Sequence, residues 1–97
     1  MRVYIAGPIT GFDLQERILT FRKYQSDLQA VGNTTVNPFD CHPLGIPWEE
    51  AMKADIKELV SCDAIYLLPG WAESKGARIE FNLAVDLGME VHYAPRK

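Results

Sequence analysis

The chain has 97 residues, of which 47% are hydrophobic and 24% charged, and its formal net charge is −3. This length suits one domain over residues 1–97, and the composition is ordinary for a globular protein. Because no long run of Lys or Arg occurs, the sequence argues against polymeric nucleic acid as a partner. It also contains no signal-peptide pattern and no apolar run of the roughly 18 residues that a membrane span needs, so we expect a cytoplasmic protein without a membrane partner.

Strand and helix patterns alternate from one end of the chain to the other. Short β-branched or apolar runs that end at Gly, Pro or Asn indicate strands, and apolar residues at intervals of three and four indicate helices. The predicted elements are a strand at 2–6, a helix at 13–31, a strand at 34–36, a loop at 37–47, a helix at 48–60, a strand at 63–68, a helix from 74 to 87 and a strand at 90–94. This alternation predicts an α/β fold, a small flavodoxin-like or Rossmann-like three-layer sandwich with a four-stranded parallel sheet.

The loops that follow the strands are where we expect chemistry, because open parallel sheets bind ligands beyond the carboxyl ends of their strands. The loop after the first strand is a candidate phosphate loop, although it lacks the lysine of a P-loop. It consists of Gly7, Pro8, Ile9, Thr10 and Gly11. After the third strand, Ser74 and the free N–H groups of the helix that it caps form a second candidate anion site.

Two acidic residues fall on the apolar faces of predicted helices. At about 100° per residue, Glu80 lies within the stripe that includes Ile79, and Asp55 lies within the stripe that includes Trp48. Buried carboxylates are unfavourable unless they are paired or hydrogen-bonded, for example by Tyr4. A structural partner would explain one such residue, but two on neighbouring helices beside one predicted cleft favour a function.

Paired carboxylates beside a sugar suggest glycosidic chemistry. One of them attacks or stabilises the anomeric carbon while the other manages protons. A free carboxylate can attack an oxocarbenium-like centre without an activating base. Gly76, one turn before Glu80, leaves space over the carboxylate, although a glycine there serves close helix packing equally well.

Several aromatic and polar residues have a functional and a structural interpretation. Asn37 and Phe39 follow the second strand and are candidates to contact base or ribose, while Asn37 before a proline also suits a simple turn. Trp71 suits stacking on a base or a dimer contact equally. We expect Trp48 in the core, and we expect His42 to be an exposed loop residue rather than a general acid.

Neither a metal nor a cofactor is indicated. Cys41 and Cys62 are expected to be free thiols, since the chain has the character of a cytosolic protein. Cys41 and His42 have no second Cys/His pair at ligand spacing, so a zinc site is not predicted. A domain this small has a modest core, which favours a homo-oligomer, dimeric or larger.

With these residues the chain resembles the nucleoside 2-deoxyribosyltransferase-like superfamily, and most of all its short, phage-associated branch of unknown function. The resemblance extends over nearly the whole chain. It rests on Tyr4-Ile5-Ala6-Gly7-Pro8, on Asn37-Pro38, on Asp55 with Asp63, on Leu68-Pro69-Gly70-Trp71, and on Ser74-x-Gly76-Ala77-x-x-Glu80.

The resemblance implies a role for four of these side chains. Glu80 attacks C1′ and forms a covalent sugar–enzyme intermediate, Asp55 handles the proton of the nucleobase, and Tyr4 orients the nucleophile. Ser74 implies a 5′-phosphate on the substrate, because the family's nucleotide hydrolases carry Ser where its nucleoside transferases carry Asp. The implied activity is hydrolysis of a (2′-deoxy)nucleoside 5′-monophosphate.

Base exchange, non-catalytic nucleotide binding and a purely structural oligomer are the alternatives to hydrolysis. Enzymes of the superfamily usually complete each site with a C-terminal segment from a neighbouring subunit. This chain ends at Lys97, just after its last predicted strand. We therefore expect its site to lack that segment, which is the argument for a binding protein without turnover.

Overall fold

A computed structural model describes residues 1–95 of the chain. The strands and helices alternate along it, as predicted. They are β1 (Arg2–Ala6), α1 (Leu14–Ala30), β2 (Thr34–Val36), α2 (Trp48–Leu59), β3 (Ala64–Leu67), α3 (Lys75–Asp86) and β4 (Glu90–Tyr93), with short 3-10 turns at Pro38–Asp40 and Trp71–Glu73. The predicted ends of the elements are correct to within one residue, and no helix in the described part is long and apolar enough to cross a membrane.

The four strands form one parallel sheet in the order β2-β1-β3-β4. Alternate residues of β1 point to opposite faces. Tyr4 packs in a cluster with residues of α2 and α3, whereas Ile5 packs with Phe21 and Tyr24 of α1. One helix therefore covers one face and two helices cover the other, which confirms the predicted α/β three-layer sandwich.

The helix ends follow from local hydrogen bonds. The Asp13 carboxylate accepts a hydrogen bond from the backbone N–H of Glu16 at 3.1 Å, so it caps α1 as predicted. The Ser74 hydroxyl accepts one from the backbone N–H of Ala77 at 3.2 Å and caps α3. These caps satisfy N–H groups that have no partner within the helix.

The buried face of α3 differs from the predicted one. Ile79 and Leu87, placed on the apolar stripe by periodicity, are 37% and 55% exposed. The face that meets the sheet carries Ala77, Glu80 and Ala84 instead. Small alanine side chains let the helix backbone approach the strands closely, so the helix turns its bulkier residues outward. The prediction that Glu80 is buried is nevertheless correct.

A similar difference occurs on α1. Its buried positions are Arg17, Phe21 and Tyr24. Leu14 and Val31, apolar residues near the two ends of the predicted helix at 13–31, are 43% and 78% exposed. An arginine therefore occupies a buried position on a helix whose predicted apolar residues partly face solvent.

Candidate active site

A cavity of about 610 Å³ lies at the carboxyl ends of β1, β2 and β3. Its wall consists of the β1–α1 loop, the segment between β2 and α2, one face of α2, and the first turns of α3. A cavity of this size is in the range that holds a small molecule such as a nucleotide. The strand-end position agrees with the sequence prediction.

Glu80 projects from α3 to the cavity wall and is only 4% exposed. The hydroxyl of Tyr4, from the middle of β1, donates a hydrogen bond to its Oε2 at 2.6 Å. Burial raises the pKa of Glu80 to about 8, the hydrogen bond from Tyr4 opposes this rise, and the charge of Asp55 adds to it. Burial and the neighbouring Glu80 raise the pKa of Tyr4 well above its usual value, so Tyr4 remains a donor.

Asp55 reaches the same cavity from α2. Burial raises its pKa to about 6, and attraction to His42 partly opposes the rise. The His42 Nε2 lies 3.2 Å from Asp55 Oδ1, at ion-pair distance but not aligned as a hydrogen bond, and Oδ1 has no hydrogen-bond partner among residues 1–95. One Asp55 oxygen is therefore buried beside His42 without an aligned hydrogen bond.

His42 lies between the carbonyl oxygen of Pro43 and the carboxyl group of Asp55. Its Nδ1 lies 3.0 Å from the carbonyl oxygen of Pro43, which can only accept, so Nδ1 carries a hydrogen. The Nε2 then faces Asp55 Oδ1 at 3.2 Å. The expectation that His42 is merely an exposed loop residue is wrong, because the segment after β2 folds back over α2 and its side chain is only 16% exposed.

The N-terminus of α3 brings anion-binding groups to the cavity. Ser74 and Lys75 both line it. The Lys75 Nζ lies 4.8 Å from the centre of the Trp48 ring, which lines the cavity as well. The prediction that Trp48 is a core residue is therefore wrong, since its ring covers the cavity wall rather than the sheet.

Most of the predicted β1–α1 loop contributes to the cavity. Gly7, Pro8, Ile9 and Thr10 line it, and so does Phe12, which the sequence did not single out. Packing also explains why position 7 is a glycine, because a Cβ there would lie 2.8 Å from the Leu68 Cβ. Only a glycine lets the loop pass so close to the end of β3.

Three predicted site residues do not line the cavity. Gly11 is not among the residues that line the cavity, and its φ of +87° makes it a turn glycine. Asn37 does not line the cavity either. Its side-chain amide accepts a hydrogen bond from the backbone N–H of Phe39 at 3.0 Å and donates one to Gln25 at 3.2 Å. Its amide thus holds the turn after β2 rather than facing a ligand.

Trp71 is the third predicted site residue that does not line the cavity. It packs against Phe81 and Tyr93, with ring centres 4.7 and 6.2 Å away, and is not part of the cavity wall. Stacking on a base and a dimer contact both remain predictions. Gly76 does line the cavity, but a Cβ there would lie 3.1 Å from Met52 Sδ, so close packing of α2 on α3 also requires it.

Phe39 does line the cavity, as predicted, and its ring lies edge-on to Phe21 at 5.2 Å. Sequence reasoning missed Trp48, Lys75 and the cavity role of His42. The spacing of Trp48, Met52 and Asp55 on one face of α2 was visible, but nothing local indicated that this face borders a cavity instead of the core.

The remaining nucleophiles and metal ligands contribute nothing to this site. Cys41 and Cys62 are free, as predicted. Burial raises the pKa of both thiols, that of Cys41 to about 12, so neither is a thiolate at neutral pH. Within residues 1–95, no three His, Cys, Asp or Glu side chains are grouped as a metal site. The carboxyl groups of Glu80 and Asp55 and the imidazole of His42 are therefore the groups at the cavity wall that are suited to proton transfer or nucleophilic attack.

Solved structures with the same architecture place the chain in the nucleoside 2-deoxyribosyltransferase-like fold. A 2-deoxyribosyltransferase of Bacillus psychrosaccharolyticus is 17% identical, with a TM-score of 0.73 over 96% of this chain and 71% of that one. A 2-desoxiribosyltransferase from Leishmania mexicana is 20% identical, with a TM-score of 0.70 over 95% and 62%. The CMP N-glycosidase BcmB of Clostridium botulinum is 21% identical, with a TM-score of 0.66 over 96% and 67%.

Sequence comparison identifies the family within this fold. The chain belongs to the family described as a domain of unknown function (DUF4406), whose sequence profile matches residues 1–93. No curated protein matches the sequence. The chain spans 62–71% of the length of the three solved structures, so the likeness to them establishes the fold.

Proposed function

We propose that this protein hydrolyses the N-glycosidic bond of a (2′-deoxy)nucleoside 5′-monophosphate, with Glu80 as the nucleophile. The observation that carries the proposal is the Glu80 carboxyl group, buried at the wall of a nucleotide-sized cavity and held by Tyr4 at 2.6 Å. A second acidic group, Asp55, borders the same cavity. The names of the three structural neighbours, which act on nucleosides or on CMP, favour the same class of reaction.

In the first step, a Glu80 oxygen bonds to C1′ of the sugar, the C1′–N bond breaks, and the bonding electrons leave with the base. Tyr4 fixes the orientation of the carboxylate through its hydrogen bond. The departing base needs a proton, which the Asp55–His42 pair is placed to supply. In the second step, water attacks C1′, its proton goes to the same pair, and Glu80 is released.

The protonation states of Glu80 and Asp55 in the free protein suit this two-step reaction. At neutral pH the raised pKa of Glu80, about 8, keeps its proton in place, whereas Asp55, with a pKa of about 6, is mostly ionised. Attack requires Glu80 to lose one proton, and departure of the base requires one. The reaction therefore only has to move a proton from Glu80 towards the base, with Asp55 and His42 as the groups that pass it on.

The phosphate is assigned to the N-terminus of α3. Ser74 caps the helix through its oxygen and still has a hydroxyl hydrogen to donate, and Lys75 adds a positive charge. The partial positive charge of a helix N-terminus favours an anion at this point. Monophosphates should therefore bind more tightly than the corresponding nucleosides.

The test is to incubate the protein with a panel of nucleosides and their 5′-monophosphates and to measure released base by chromatography. Glu80→Gln should abolish release while nucleotide binding persists, and the exposed Glu49→Gln serves as the control. A 2-fluoro substrate analogue should leave one sugar phosphate on Glu80, visible by mass spectrometry. Equal base release by the wild type and Glu80→Gln would contradict the assignment.

Two alternatives are separated by the same experiment. Base exchange requires an acceptor base, so adding a second free base should yield a new nucleotide if the protein is a transferase. A non-catalytic nucleotide-binding protein is the other candidate, because Glu80 in the empty cavity is largely neutral at pH 7. It predicts binding without released base and without an adduct.

A further inference from the structure

Arg17, near the start of α1, is a buried cation that has no anionic partner among residues 1–95. Its side chain belongs to a residue that is 7% exposed, and its Nε is buried with no hydrogen-bond partner among residues 1–95. The contacts of its guanidinium group are two aromatic rings, Phe12 at 5.5 Å and Phe21 at 5.8 Å. An arginine keeps its charge throughout the physiological pH range, so this position holds a permanent, poorly solvated charge.

Such an arrangement is unfavourable in the free protein. A buried charge requires a partner, and contact with aromatic rings replaces only part of the lost hydration. The acidic residues nearest in sequence do not supply one, because Asp13 caps α1 and Glu16 is exposed without an ion pair to Arg17 in the described part of the chain. The missing partner is therefore expected to come from outside the chain.

Arg17 adjoins the cavity through Phe12, although Arg17 itself does not line the cavity. Phe12, one of its two ring contacts, lines the cavity and is 55% exposed. The preceding residue, Gly11, has no atom within 4 Å of the position of a Cβ, so open space lies beside this part of the loop. Movement of the Phe12 side chain would expose the guanidinium to the cavity.

The loop that covers Arg17 also touches the loop that leads to α3. A Cβ on Gly70 would lie 3.4 Å from the Pro8 side chain, and one on Gly7 would lie 2.8 Å from that of Leu68. The β1–α1 side of the cavity therefore adjoins the β3–α3 side, where Ser74 offers a hydroxyl group and backbone N–H groups. Ser74 brings no formal charge of its own, and Lys75 supplies one positive charge for a phosphate group that carries nearly two negative ones.

We propose that Arg17 recognises the phosphate monoester of the ligand, with its guanidinium group compensating the phosphate charge after Phe12 moves aside. The planar guanidinium can donate two parallel hydrogen bonds to phosphate oxygens, which a lysine cannot. The choice of a nucleotide as carrier of the phosphate rests on the proposed function, whereas the choice of an anion rests on the unpaired Arg17 alone. Arg17 is thus a specificity-determining residue, and no chemical step is assigned to it.

The test compares Arg17→Met with Arg22→Met in the Glu80→Gln background, where turnover does not disturb binding. Both changes remove one positive charge from α1, but Arg22 is exposed and already paired with Asp40 at 2.7 Å. Calorimetry would measure the affinity for a nucleoside, its 5′-monophosphate and inorganic phosphate. Arg17→Met should weaken monophosphate binding at least tenfold relative to Arg22→Met and leave nucleoside binding unchanged, because charged hydrogen bonds to phosphate are lost.

A second readout separates anion recognition from a merely structural role. Removing an unpaired buried charge should raise the urea midpoint of the free protein, and phosphate should no longer raise it further in Arg17→Met. A structural role predicts a lower midpoint with the response to phosphate intact, and this result would overturn the proposal. Arg17→Lys, which keeps the charge and the fold, should retain part of the phosphate preference, so the test holds even if Arg17→Met does not fold.

Failure of this inference and failure of the proposed function give different results. If the wild type releases no base but Arg17→Met still loses its preference for the monophosphate, the glycosidase proposal fails and the anion site stands. If the wild type releases base and Arg17→Met binds the monophosphate as tightly as Arg22→Met, the anion site is refuted and the glycosidase proposal stands.

Discussion

Replacing Glu80 by Gln is expected to stabilise the free protein at neutral and alkaline pH. Burial raises the pKa of Glu80 from the ordinary 4.5 to about 8. The unfolded chain therefore releases this proton at a lower pH than the folded chain does. The folded state loses stability as the pH rises from about 4.5, and the full loss is present above pH 8.

The magnitude follows from the size of the rise. A tenfold change in an ionisation constant corresponds to about 1.4 kcal/mol, so a rise from 4.5 to about 8 corresponds to about 5 kcal/mol. This value is large beside the total stability of a small domain, about 5–15 kcal/mol. Glutamine carries no charge, and its amide oxygen can still accept the hydrogen bond from Tyr4, so Glu80→Gln avoids the penalty.

Urea unfolding at pH 5, 7 and 8.5 would measure this difference. The free energy of unfolding of Glu80→Gln minus that of the wild type should be small at pH 5, where Glu80 is itself a neutral carboxyl group, and should grow by several kcal/mol towards pH 8.5. Glu49→Gln, at an exposed position, should show no such growth. A difference that is the same at pH 5 and 8.5 would refute the argument that Glu80 is a desolvated acid.

Three further predictions concern turnover, packing and assembly. Base release should follow a bell-shaped pH profile with limbs near 6 and 8, because the cavity holds one transferable proton between the pKa values of Asp55 and Glu80. Asp55→Asn should remove the acid limb and lower kcat/KM by roughly 10²–10⁴, whereas an unchanged profile would exclude Asp55 from proton transfer. Gly7→Ala should lower the free energy of unfolding by about 1–3 kcal/mol, because its Cβ would lie 2.8 Å from that of Leu68; an unchanged urea midpoint would contradict this close approach. Light scattering should show a dimer or larger homo-oligomer at micromolar concentration, because the core of one chain is small, and a monomer mass would disprove it.

The sequence was sufficient for the architecture because the patterns that define it are local. Alternating strands and amphipathic helices imply a parallel sheet, and the caps at Asp13 and Ser74 mark where helices begin. Burial of Glu80 and Asp55 could also be predicted, since each lies on a helix face with apolar neighbours. The rotation of α3 could not, because close approach of Ala77 and Ala84 to the sheet outweighed the hydrophobicity of Ile79.

Predicting the cavity wall required information that the sequence does not carry locally. The segment from 37 to 47 contains three prolines and no periodic pattern, so its path over α2 could not be inferred. That path decides whether His42 meets Asp55 or solvent. Asn37 shows the opposite case, since its side-chain amide is held by hydrogen bonds with Phe39 and Gln25, of which the first is local in the sequence.

Three buried ionisable side chains lie at the wall of one cavity or next to it, namely Glu80, Asp55 and Arg17. The charged form of each is unfavourable in the free protein. The acids would be relieved by a centre that becomes positive, and the arginine by a group that is negative. A sugar phosphate offers both, because its anomeric carbon gains positive charge as the base departs while its phosphate remains anionic. A ligand without the phosphate would leave Arg17 unpaired, and a ligand without a labile glycosidic bond would leave Glu80 without a developing charge to stabilise. The combined presence of these groups therefore favours a nucleoside 5′-monophosphate over either a free nucleoside or a simple phosphate ester.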